Sequence, residues 1–112
     1  MDVPRERFEE LVADALDSLP EAMGRVMDNV WVTVSDDYRR PLYGLYEGVP
    51  LTERESYGGL ALPDRISIFR IQICRNCKTE EEVVEMVRET VVHEVAHHFG
   101  ITDKRLDELG WS

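Results

Sequence analysis

The spacing of apolar residues changes character along this chain, and each change predicts a different element. In "PRERFEELVADALDS", residues 4 to 18, Phe8, Leu11, Val12, Ala15 and Leu16 recur three and four apart, with Leu19 following. That interval places side chains on one face of a helix. Pro4 suits its first turn and Pro20 stops it. A second short helix is expected in "PEAMGRVMDN". "VWVTVSD" then alternates Val30, Val32 and Val34 with Trp31 and Thr33, the period of a strand.

Residues 36 to 63 hold Pro41, Gly44, Gly48, Pro50, Gly58, Gly59 and Pro63 among tyrosines. This reads as a long loop, with one strand at "LYGLYEG", and loops of that length in small domains are often functional. The strongest strand signal is "DRISIFRIQIC", residues 64 to 74, rich in β-branched and aromatic residues. Its isoleucine spacing slips at Phe69-Arg70, which implies a bulge or a strand buried on both faces. After "CRNCKTEEE", Thr79 and Glu82 fit a capping box, and a helix runs to Gly100, a residue suited to a left-handed stop. A last short helix spans Asp103 to Leu109. Helices, then strands, then a long helix predict an α+β fold, with a small sheet packed on that helix and one domain over residues 1–112.

Composition narrows the function. Hydrophobic residues at 43% and charged residues at 32% are those of a folded globular chain. No run approaches the roughly 18 apolar residues that span a bilayer, and "MDVPRERFEE" has no apolar signal region, so a cytoplasmic protein is expected. The net charge of −10, from 13 basic and 23 acidic residues, opposes nucleic acid as a partner.

The chemistry concentrates in "HEVAHHFGITD", residues 93 to 103. At 100° per residue His97 lies about 40° from His93 and roughly 6 Å along the axis, so both imidazoles share a face. Imidazoles so placed reach a common Zn²⁺ at about 2.0–2.1 Å. Glu94, about 100° round, stands beside such an ion, where a carboxylate takes a proton from a metal-activated water. Val91, Val92, Val95 and Phe99 cover the opposite side of the helix.

A catalytic zinc needs a third protein ligand and an open position. The oxygen donors after His97 are Asp103, Asp107 and Glu108. Asp103 is favoured, because Gly100 lets the chain leave the helix and bend back. The spacing is that of the metzincin signature HExxHxxGxxH with aspartate last, although no methionine follows to form the Met-turn.

Together "LPDRISIFR", "HEVAHHFGITD" and "RLDELGW" resemble the minimal zincins, very small bacterial zincin-like metallopeptidases carrying HExxHxxGxxD. The resemblance is close from the strand to the C-terminus and looser before it. It implies a zincin-like α+β fold, zinc on His93, His97 and Asp103, Glu94 as general base, and a peptide or protein substrate. If the strand over 66–73 is an edge, an extended peptide pairs with it by β-addition.

Two rival functions fit the same residues less well. A metal-dependent endoribonuclease fits H-x3-H-x5 with aspartate last, but Glu94 and the acidic charge oppose it. A zinc-stabilised binding domain without enzymatic activity fits the small size.

Other residues have plainer readings. His98, at about 140° on the wheel, either orients Glu94 or packs, and packing is favoured. Among Tyr43, Tyr46 and Tyr57 one is a candidate oxyanion donor, with packing over the sheet the favoured role for each. Cys74 and Cys77 lack the second pair of a Cys₄ site. Although a redox CxxC opens a helix after a strand, as this stretch nearly does, reduced structural thiols are favoured, with a reversible disulfide next. Arg70 reads as an ion-pair partner rather than a substrate anchor, and Asp107 as a cap or a partner of Arg105 or Lys104.

Overall fold

The computed structural model describes residues 1–48 and 63–111, so Tyr57 and residues 49–62 of the glycine-rich loop lie outside the described residues. Pro4 caps helix α1 (Arg5–Asp17), which buries Phe8, Leu11, Val12 and Ala15 as its spacing requires. Helix α2 (Glu21–Val26) runs into a 3₁₀ turn at Met27–Asn29, and strand β1 (Val30–Ser35) follows. The strand expected in "LYGLYEG" is β2 (Gly44–Glu47).

Strand β3 (Asp64–Phe69) is shorter than its isoleucines suggest, because the chain turns into helix α3 (Arg70–Arg75). The slip at Phe69-Arg70 is therefore neither a bulge nor a two-sided strand. It is the change from a period of two to a helical one. Ile66 and Ile68 obey the first period, while Ile73 and Cys74 lie on the buried side of the helix and Cys77 follows it into the core, and all five are buried. Burial of that helical stripe outweighs the β preference of Ile71 and Ile73.

The sheet order is β1-β3-β2, with β1 parallel and β2 antiparallel to β3. Strand β3 is thus central, and both its hydrogen-bonding edges are occupied. A peptide cannot add to it, which corrects the expectation of an edge over 66–73. Arg70, beyond the strand, donates to Asp36 at 2.7 Å and to the Val3 carbonyl at 2.6 Å, so it is an ion-pair residue. Its guanidinium holds the Asp36 carboxyl below the usual range.

Helix α4 (Glu80–His98) begins at Thr79, whose hydroxyl accepts from the Glu82 amide at 3.1 Å. The Glu82 carboxylate reaches back to the Lys78 amide, one residue before the cap, so the capping box is offset by one position. Val83, Val87, Val91 and Val95, spaced by four, join Phe8 and Leu11 of α1 and Ile66 and Ile68 of β3 in one core. Each such buried valine contributes about 1.5–3 kcal/mol relative to exposure. Phe99 departs from the expected packing face: it is 55% exposed, because the helix ends at His98 and residue 99 is the cap. Helix α5 (Asp103–Leu109) matches its expected span and buries Leu106.

Strand β2 crosses α4 at very close range. A Cβ on Gly44 would stand 2.5 Å from Thr90 Cγ2 and 3.2 Å from the Ser67 carbonyl. Thr90 has little room to give, since its hydroxyl is bonded to the Met86 carbonyl at 2.7 Å. We expect Gly44→Ala to destabilise the fold by about 1–3 kcal/mol, the usual cost of overpacking. Thermal denaturation measures this, and an unchanged melting temperature would refute the close crossing.

Candidate functional site

The turn after α4 is built by a glycine. Gly100 has φ 73°, its amide donates to the His97 carbonyl at 3.1 Å, and the Ile101 amide donates to the Ala96 carbonyl at 2.7 Å. This is the Schellman pattern, in which a left-handed residue lets two amides close the last turn. Ile101 then packs against the core, and Thr102 caps α5 by accepting from the Arg105 amide at 3.2 Å. The chain has reversed, and Asp103 opens α5 facing back toward α4.

The reversal brings Asp103 Oδ1 to 3.3 Å from His97 Nε2. His93, one turn earlier, has its ring centre 5.9 Å from that of His97. Both imidazoles and Asp103 are exposed. Two ligands of a tetrahedral zinc at about 2.0–2.1 Å lie roughly 3.3 Å apart, and two imidazoles on one ion hold their ring centres roughly 5 Å apart. The His97–Asp103 spacing meets the first figure, and a small rotation of exposed His93 meets the second. Among the described residues no three such donors are already gathered into a closed centre. They stand as a pair plus one, and the donor chemistry, two imidazoles and a carboxylate, fits zinc.

Glu94 is half-buried beside these groups, and its Oε1 accepts the main-chain N–H of Tyr46 at 3.2 Å. A cleft of about 350 Å³ opens between residues 41–44 and α4, with His93, Glu94 and His97 in one wall and Leu42, Tyr43 and Met86 among its apolar lining. A larger cleft of about 490 Å³ lies between α1 and β1, among Arg5, Val12 and Val34. None of the histidines or Glu94 reaches it, so size does not identify the site here.

Tyr43 lines the cleft beside His93 and His97, whereas the Tyr46 ring stacks on His98 with centroids 3.9 Å apart, and its hydroxyl donates to Asp64 at 2.7 Å. His98 is thus a packing residue, as favoured. The Tyr46 amide was missed at the level of residue types, because a backbone donor carries no sequence signal of its own. Asp107 is not the partner of Arg105, which pairs with Glu108 at 3.1 Å. Cys74 and Cys77 are free and buried, and burial pushes both thiols up from their ordinary value. Cys74 closes a helix rather than opening one, the unfavourable end for a thiolate.

Residues 25–111 match the model of a family described as zincin-like metallopeptidase. No curated protein matches the chain. Among the described residues no helix is long and apolar enough to cross a membrane.

Proposed function

The chain belongs to the zincin-like metallopeptidase family, and from that premise we propose a zinc-dependent peptidase with His93, His97 and Asp103 as metal ligands and Glu94 as general base. The observation that carries the reading is the approach of Asp103 Oδ1 to His97 Nε2 at 3.3 Å, on the helix that also presents His93 and Glu94 to a cleft. Helix α1 precedes the matched region, yet Phe8 and Leu11 join the same core, which supports reading 1–112 as one domain.

Zinc held by His93, His97 and Asp103 would supply Lewis acidity toward a water molecule and a peptide carbonyl. Glu94 has one oxygen engaged by the Tyr46 amide, and its Oε2 is the atom that accepts the proton of the attacking water. The same oxygen returns the proton to the leaving amine. Strand β2 is an outer strand of the sheet, and an extended substrate lies in the cleft beside residues 41–44 at its start, with a side chain entering the space lined by Leu42, Tyr43 and Met86.

Metal analysis of the purified protein, with a peptide-library digest before and after chelation, tests the reading directly. Cleavage that persists without metal would overturn it. The ligand set is tested by a pair of alanines. Asp103→Ala should weaken zinc binding by about tenfold or more, and Asp107→Ala should leave it nearly intact, measured by competition with a chromogenic chelator. The opposite order would make Asp107 the ligand.

A further inference from the structure

A general base must point at its water and hold still while it does so, since small misplacements of reacting groups are costly. In this fold the hold on Glu94 comes from another element. The Tyr46 N–H that binds Glu94 Oε1 belongs to β2, where Tyr46 is paired with Ile66 of β3. Alternate residues of an outer strand direct their N–H groups away from the neighbouring strand, and at Tyr46 that direction is toward α4.

The side chain of Tyr46 is itself held by contacts to two other elements. Glu94 and His98 are four apart and share a face of α4. Tyr46 spans both: its ring lies on His98 at 3.9 Å with planes 20° apart, and its amide lies on Glu94. The hydroxyl donates to Asp64 Oδ2 at 2.7 Å, and the Asp64 side chain is only 16% exposed. His98 Nε2 stands 4.0 Å from the same oxygen, and Phe99 meets both rings edge-on. Gly48 leaves room for this cluster, because a Cβ there would sit 3.3 Å from His98 Cε1. The beginning of β3, the outer strand and the end of α4 are thereby tied at one point, a turn beyond Glu94.

We infer that Tyr46, held by Asp64 and His98, is the positioning residue for Glu94: it fixes one carboxylate oxygen through its main-chain amide and leaves the other for the proton. The inference rests on the reading of Glu94 as general base. Tyr46, Asp64 and His98 are not among the described residues lining the cleft, so their effect reaches the reaction through Glu94 rather than through substrate contact.

The test uses zinc-loaded protein and two independent readouts. In peptide cleavage, Tyr46→Phe removes the Asp64 tether and keeps the ring; kcat should fall by about tenfold, with KM and zinc content unchanged. Asp64→Asn, which still offers an acceptor, should retain more activity than Asp64→Ala. In a Glu94→Gln background, Tyr46→Phe should cause no further loss. An equal loss in both backgrounds would show a general structural effect and overturn the inference. The second readout is hydrogen exchange of the residue-46 amide by NMR, which should be faster by about tenfold in Glu94→Ala and in Tyr46→Phe. Unchanged exchange in Glu94→Ala would overturn the hold on Glu94, whatever the kinetics. If the unmodified protein cleaves no peptide, the peptidase reading fails, and the exchange experiment alone then decides whether Tyr46 anchors the carboxylate.

Discussion

Replacing Glu94 with glutamine should lower peptide cleavage by about 10²–10⁴-fold, the usual contribution of a general base, while zinc and fold are retained. Glutamine preserves the size of the side chain and the oxygen that accepts the Tyr46 amide at 3.2 Å. What it loses is the ability to take a proton. Glu94 lies beside the His93–His97 face of α4 rather than on it, so zinc content should not change. The measurement is kcat/KM for both proteins at matched zinc occupancy, determined by elemental analysis of the same samples. Equal activities would remove Glu94 from the reaction. Loss of zinc along with activity would instead place Glu94 among the ligands.

Substituting alanine for His93 or His97 should abolish stoichiometric zinc binding, about one ion per chain in the unmodified protein, and cleavage with it. The same experiment reads stability. A ligand that binds only the folded state stabilises it by RT ln(1 + [L]/Kd), about 2.7 kcal/mol at a hundredfold excess over Kd. In a domain of this size that corresponds to roughly 10 °C or more in Tm. Chelation should therefore lower the melting temperature of the unmodified protein and leave that of His93→Ala unchanged. The core of valines on α4 and isoleucines on β3 does not involve His93 or His97, so the variants should still fold. A zinc content that survives both substitutions would place the metal elsewhere.

Helices α1, α2, α4 and α5 were legible in the residues themselves. Apolar spacing located α1 and α4, Thr79 marked the start of α4, and Gly100 marked its left-handed end, because these are properties of a few consecutive residues. The shared face of His93 and His97 follows from helical geometry alone, and so does the place of Glu94 beside it.

Burial and strand order were not legible, because both depend on partners far away in the chain. "DRISIFRIQIC" has strand-forming residues throughout, but the core accepts a sheet only to Phe69 and a helical stripe after it. Phe99 has the composition of a packing residue, yet the helix ends before it and leaves it exposed. Nothing local states that β3 is central, and only the pairing of β1 and β2 on its two sides makes it so. The amide that holds Glu94 belongs to a residue 48 positions earlier, and backbone groups look alike in every sequence. The sequence by itself determined the donors and the helix that spaces them, since both are local. Which strand faces them, and which main-chain group holds Glu94, follows from long-range packing of β2 against α4, where glycine at position 44 permits the approach.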